Sequence, residues 1–306
     1  MWFKNLGLLR FSKPFELTPD ELESRLQAGR FRPCGSLEVA TYGFKSPIGK
    51  EDAPLVYASN GCMMICAAKE EKLLPAAVVN ERLAERIEEI EARSGRKPGK
   101  KERDSLRDDV IHELLPRAFS HVRQTYAYID PKGGWLVVDS ASARKTEELA
   151  SYLRRCVETL PVSPPATQER PQSVMTRWLA EDSTPSDIVI ESECELRSTD
   201  EEGGVVRCRR QDLSAPEIKN HLSVGKEVSR LALSWNDRLS FVLDESLGIR
   251  RLRFLDMVQE QAAEVETDDQ IERFDVDFSI MTLELAAFLP RLLELFGGES
   301  DQLKKE

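Results

Sequence analysis

The chain has 306 residues, of which 41% are apolar and 32% charged, with a formal net charge of -11 and a pI near 5.1. That size and balance suit about two domains around a sizeable core, and they exclude a disordered or fibrous polymer. The most apolar run, 280–296, is too short to span a bilayer and is interrupted by Glu284, Pro290, Arg291 and Glu294.

The opening MWFKNLGLLRFSKPF has a short apolar patch between lysines and no small-residue cleavage site, so it reads as the start of the fold rather than a signal peptide. Residues 1–75 read as mixed and mostly β. Thr18-Pro19-Asp20-Glu21 is a helix start: a capping hydroxyl, then proline and acids in the first turn. A run over 37–44 alternates, and 55–58 and 62–66 are short strands separated by the turn signal Ser59-Asn60-Gly61.

At about Pro75 the period changes. Val79, Leu83, Ile87 and Ile90 share one helical face, with Arg82, Glu85, Arg86 and Glu89 covering the other, and the helix ends near Ser94-Gly95. A second helix carries Leu106, Val110 and Leu114 and stops near Pro116. Each stripe is wide enough to pack on its neighbour and too narrow to build a core. The expectation is a helical hairpin over 76–119, projecting as a finger and inserted into an α+β domain made of 1–75 and 120–160. Strands over 124–129 and 135–139 and a helix over 144–160 complete that domain. Residues 161–167, PVSPPAT, read as a linker.

Beyond it, 161–306 reads as a second α+β domain. Short helices fall at 172–180 and 215–223, and a hairpin joins 188–197 to 205–210 through Glu201-Glu202-Gly203-Gly204. An antiparallel meander follows over 227–235, 239–243 and 249–254. Phe274, Val276 and Phe278 alternate with Asp275 and Asp277 as a half-exposed strand would. A final helix, 279–296, is apolar almost all round and should be buried in the domain or against a partner.

The sharpest chemical signal is the stretch 93–103, RSGRKPGKKER, which would form the finger's tip. Arg93, Arg96, Lys97, Lys100, Lys101 and Arg103 are opposed by one acid, Glu102, for a local charge of +5 in an acidic chain. A phosphate backbone senses charge over roughly 8 Å, so local arrangement outweighs the total. Clustered Lys and Arg neutralise phosphates and release counterions; the plain alternative is a solvated turn. No aromatic residue is interleaved, so base stacking is not indicated there.

A second basic set comprises Lys226, Arg230, Arg238, Arg250, Arg251 and Arg253 in the meander and Arg207, Arg209 and Arg210 on the hairpin. Period two puts Lys226, Val228 and Arg230 on one face. That face could follow a duplex, or it could be a solvent face bridged to Glu191, Glu193 and Glu195. Those glutamates also share a strand face by spacing. With Asp244 or Asp275/Asp277 they are candidates for a Mg²⁺ nuclease site, without a recognised motif. Phe119, just past the hairpin, either packs into its own domain, which the local sequence favours, or anchors an interface.

Six scattered cysteines and three histidines show no metal-ligand spacing, and free thiols in a reducing cytoplasm are expected. Nucleotide-loop, dinucleotide and serine-hydrolase motifs are missing, as are helix-turn-helix and zinc-finger patterns. No cofactor and no metal are expected. A protein-interaction scaffold with a basic docking loop stays open beside nucleic-acid binding and the nuclease.

The segments MWFKNLGLLRFSKPF, ELLPRAFS, VGKEVSRLALSWNDRLSFVL and RFDVDFSIMTLELAAFLPRLLELFGG resemble the bacterial recombination-associated RdgC family over essentially the whole chain. The resemblance implies a ring-shaped homodimer whose basic hole admits double-stranded DNA, with single-stranded DNA as a further ligand. It implies binding without sequence preference, restraint of the RecA recombinase, no enzymatic activity, and a place in the cytoplasm on the nucleoid and at replication forks. It also implies that Phe119 is the phenylalanine at the gate between subunits and that Lys226, in the Gly225-Lys226 string, belongs to a DNA-binding region. Arg117 and the other basic positions stay inferences from charge.

Overall fold

The computed structural model describes residues 1–50, 53–198, 200, 203–265 and 267–300. The fold is α+β, with two antiparallel sheets. The first contains β1 (Gly7–Phe11), β2 (Ala40–Lys45), β3 (Val56–Ser59), β4 (Cys62–Lys72), β5 (Ser120–Asp130), β6 (Trp135–Val138) and β7 (Val162–Ser163). Their order is β2-β4-β5-β6-β1-β7, with β3 pairing β4 beside β2. Asn60 and Gly61 both take positive φ, 50° and 77°, which a tight two-residue hairpin turn requires between β3 and β4.

One face of this sheet is covered by α1 (Pro19–Leu26) and α4 (Ala143–Val157). Leu22, Leu26, Leu149 and Leu153 pack there against Phe44, Ile65, Ala127 and Leu136. The start of α1 is the one its sequence calls for. The Thr18 hydroxyl accepts from the Glu21 amide, and the Glu21 carboxylate accepts from the Thr18 amide in return.

The second sheet runs β12-β11-β10-β8-β9, from β8 (Ile188–Ser198), β9 (Val205–Arg209), β10 (Lys226–Trp235), β11 (Leu239–Asp244) and β12 (Ile249–Phe254). Its inner face buries Leu196, Val228, Leu231, Leu233, Phe241 and Leu243. Helices α5 (Pro171–Glu181), α6 (Pro216–Ser223) and α7 (Asp256–Ala263) flank it. Helix α8 (Gln270–Glu294) supplies Phe278, Met281, Leu285, Phe288 and Leu292 to a core shared with Met64, Tyr128 and Val137 of the first sheet. Each such side chain contributes about 1.5–3 kcal/mol by leaving water.

Residues 4–6 join the sheets. The Leu6 amide donates to the Ile249 carbonyl (2.8 Å), the Ile249 amide donates back (3.1 Å), and the Leu252 amide donates to Lys4 (2.8 Å). Phe3 and Leu6 are buried in the shared core.

Three expectations are corrected. The alternating stretch 274–278 is helical: Phe274 and Phe278, four apart, both face Tyr57, while Asp275 accepts from the Tyr57 hydroxyl at 2.9 Å. The last helix therefore starts nine residues earlier than expected, and it is buried on one face rather than all round, since the apolar residues Leu283, Ala286 and Ala287 are exposed. The stretch read as a linker is tied down. Val162 and Ser163 pair with β1, while the Gln168 amide donates to Gly298 (3.0 Å) and the Ser300 amide to Ala166 (2.9 Å).

Candidate nucleic-acid interface

Strands β4 and β5 pair from Met63↔Ile129 to Lys72↔Ser120. Between them run α2 (Ala76–Ser94) and α3 (Lys100–Leu114). The two helices pack on each other through buried Val79 and Val110 and half-buried Leu83, Ile87, Leu106 and Leu114. Arg82 and Arg86 of α2 both reach Glu113 of α3 (3.2 and 2.9 Å), and Arg107 donates to Asn80 (3.0 Å). The two guanidinium groups hold the Glu113 carboxyl below its usual range. Opposite charges therefore link the helices near their sheet end.

At the far end α2 stops because Gly95 takes φ 67°, a left-handed conformation that closes the helix with its amide on the Glu91 carbonyl (2.9 Å). Gly99 precedes α3. Arg93, Arg96, Lys97, Lys100, Lys101 and Arg103 are all exposed. Arg96 pairs with Glu102 at 3.0 Å. The other five make no ion pair with any described carboxylate.

The outer face of the second sheet is arranged differently. Glu195, 5% exposed, is contacted by Arg207 Nε (2.8 Å), Arg230 Nη1 (3.3 Å) and Arg197 Nη2 (3.4 Å), and the Ser229 hydroxyl donates to it (3.2 Å). Burial pushes this carboxyl up, but Arg207, Arg230 and Ser229 override that and hold it below the usual range. Glu193 pairs with Arg251 (2.6 Å) and Arg209 (3.6 Å), and Asp244 with Arg250 (3.1 Å). Arg230, Arg250 and Arg251 thus each already contact a carboxylate, as the salt-bridge alternative held for Glu193 and Glu195, although three guanidinium groups share Glu195 and two share Glu193. Glu193 and Glu195 border one concavity with Arg207, Arg209 and Arg230, while Glu191 borders another, so the three glutamates do not converge.

Lys226, Val228 and Arg230 do not share a face. A bulge at Ser229 breaks the alternation: Val228 pairs with buried Leu196, and Arg230 with Glu195 on the opposite side. Lys226 pairs with Ser198, on the Leu196 side, and its Nζ donates to the Gly204 carbonyl at 3.0 Å. Arg253 and Arg117 are exposed and make no ion pair with a described carboxylate. Of the acids weighed for metal binding, Asp277 pairs with the Met1 amino group and Arg273. Among the described residues no group of three His, Cys, Asp or Glu side chains is placed to hold a metal ion. Glu201 and Glu202 of the expected hairpin turn lie outside the described residues.

Phe119 is 84% exposed, which overturns packing into its own domain. Its carbonyl accepts from the Leu73 amide (2.7 Å), and Leu73, Val39 and Val122 at the same end of β4 and β5 are exposed too. The sequence reading missed these neighbours, because alternation reports burial only where a second layer covers the sheet. It also passed over Arg123, Arg144 and Lys145, which fall singly or in pairs rather than in a run.

The chain matches the family model described as "Putative exonuclease, RdgC" over residues 1–299. It is 46% identical to the recombination-associated protein RdgC of Aeromonas hydrophila, covering 99% of this chain and 100% of that protein. It is 48% identical to that of Tolumonas auensis (98% and 99% covered) and 47% identical to that of Pseudomonas aeruginosa (98% of each).

Proposed function

This chain belongs to the RdgC family of recombination-associated bacterial proteins, and on that premise we propose that it binds duplex DNA through the phosphate backbone, without sequence preference. It does so as a ring-shaped homodimer in the cytoplasm, associated with the nucleoid, and limits the access of RecA to DNA. The α2–α3 pair acts as the finger and Phe119 sits at the contact between subunits. The observation that carries the reading is the tip: Arg93, Lys97, Lys100, Lys101 and Arg103 are exposed and free of described carboxylates on a chain of net charge -11. Cations left unpaired where acids are plentiful are available for phosphate oxygens. Arg253 and Arg117 are available in the same way. Arg230, Arg250 and Arg251 already contact a carboxylate, so they rank below the tip.

The reading assigns no catalysis to the chain, and passive occupancy of DNA accounts for the effect on recombination. The test is a mobility-shift series with unrelated duplexes at low and moderate salt, joined to solution mass alone and with linear or closed circular DNA. Expected are a dimer mass, equal shifts for all sequences, weakening with salt, and a difference between linear and closed DNA. No shift at either salt would favour a scaffold that docks an acidic protein. Mg²⁺-dependent cleavage abolished by Glu191→Ala would favour a nuclease.

A further inference from the structure

We propose that Arg123, Arg144 and Lys145 form a second phosphate-binding site, on the α4-covered face of the first sheet; this rests on the duplex-binding reading and adds a contact path to it. Arg123 lies on β5, directly opposite Lys69 of β4. Arg144 and Lys145 open α4, behind its cap Ser142, whose hydroxyl accepts from the Lys145 amide at 3.4 Å. The three cations line one concavity of about 280 Å³, with Tyr42 and Thr125 on its wall.

The acids of this concavity are already engaged. Lys69 Nζ contacts Glu148 at 2.8 Å and Glu71 at 3.2 Å. Arg123, Arg144 and Lys145 are exposed and make no ion pair with any described carboxylate. The local balance is therefore positive in a strongly acidic chain.

One feature of the arrangement works against the empty fold. Cations in the first turn of a helix oppose its dipole; α1 places Asp20 and Glu21 in that turn, whereas the first turn of α4 holds Arg144 and Lys145 and no acid. An anion seated in the concavity reverses that sign. The wall adds neutral donors. Burial, with Glu148 nearby, pushes the Tyr42 phenol well above its usual range, so it keeps its proton and can donate. The chemistry selected is a phosphate group, from a DNA backbone or from a free phosphate.

The test uses the whole protein and two readouts. In the first, Arg123→Gln/Arg144→Gln is compared with wild type for binding of random duplex over a salt series. Two lost contacts flatten the slope of log affinity against log salt by about 1.8, roughly a tenfold smaller loss of affinity over a fourfold rise in salt. In the second, the reactivity of Lys145 and of the tip lysines Lys97, Lys100 and Lys101 toward an acetylating reagent is read by mass spectrometry, with duplex or inorganic phosphate present. Protection of Lys145 by duplex supports the site with a backbone ligand, and protection by inorganic phosphate alone supports it with a free one. If duplex protects the tip lysines while Lys145 stays fully reactive and the slope is unchanged, the second site is wrong and the duplex reading stands. If neither ligand protects any of these lysines, both are wrong.

Discussion

Replacing Lys97, Lys100 and Lys101 together by alanine isolates the tip from the rest of the molecule. None of the three contacts a described carboxylate, so no ion pair is broken. Lys100 and Lys101 stand at the first two positions of α3, where a cation opposes the helix dipole and alanine has the higher helix propensity, so folding stability should be unchanged or slightly raised. Each phosphate contact contributes about 0.9 to the slope of log affinity against log salt, so three lost contacts flatten it by about 2.7. Over a fourfold rise in salt that is roughly a fortyfold smaller loss of affinity than wild type shows. Fluorescence anisotropy with two unrelated duplexes across the salt series gives the slopes, and thermal unfolding gives the control. A slope equal to that of wild type, or a change confined to one duplex, would refute backbone contact at the tip.

Two further outcomes follow from side-chain environments. At protein concentrations where the chain is monomeric, Phe119→Ala should change unfolding free energy by less than about 0.5 kcal/mol, because within one subunit the ring is 84% exposed. Sedimentation at higher concentration should nevertheless show weakened self-association, and a large drop in the unfolding temperature of the monomer would return the ring to the core. Asp187 receives Arg291 Nε (2.8 Å), Arg291 Nη2 (3.0 Å) and the Trp235 indole (3.2 Å), so Asp187→Ala should destabilise by about 2 kcal/mol in denaturant titration. The hydrogen-bonded Arg291 holds the Asp187 carboxyl below its usual range. A lowered carboxyl contributes fully above its unfolded value of about 4 and loses that contribution as pH falls through the folded value. The gap between wild type and variant should therefore close in acid; a gap that widened there would overturn the assignment.

The parts of the fold that were legible are those where one local signal dominates. The stripes Val79–Leu83–Ile87 and Leu106–Val110–Leu114 have no competing pattern, and Asn60-Gly61 permits only a turn. The capping box at Thr18 and Glu21 is chemical, and it formed as written. What failed did so where a pattern has two solutions. Phe274-Asp275-Val276-Asp277-Phe278 fits a strand by alternation and a helix by its aromatic pair at four, and packing against Tyr57 selects the helix. Lys226-Val228-Arg230 obeys period two only in a regular strand, and the bulge at Ser229 is invisible in composition. The tip was legible as a charge run. The sheet arginines were legible as cations, but their pairing with Glu193, Glu195 and Asp244 depends on strand register, which the irregularities between β8 and β10 and between β11 and β12 shift.

The seam made by Lys4 and Leu6 with Leu252 and Ile249 constrains the order in which the protein can be assembled. During synthesis residues 4–6 find these partners only after some 240 more have been added, which puts a late, long-range step at the end of folding. Until then Phe3 and Leu6 are apolar groups without their final cover, exposed to any holdase that scans nascent chains.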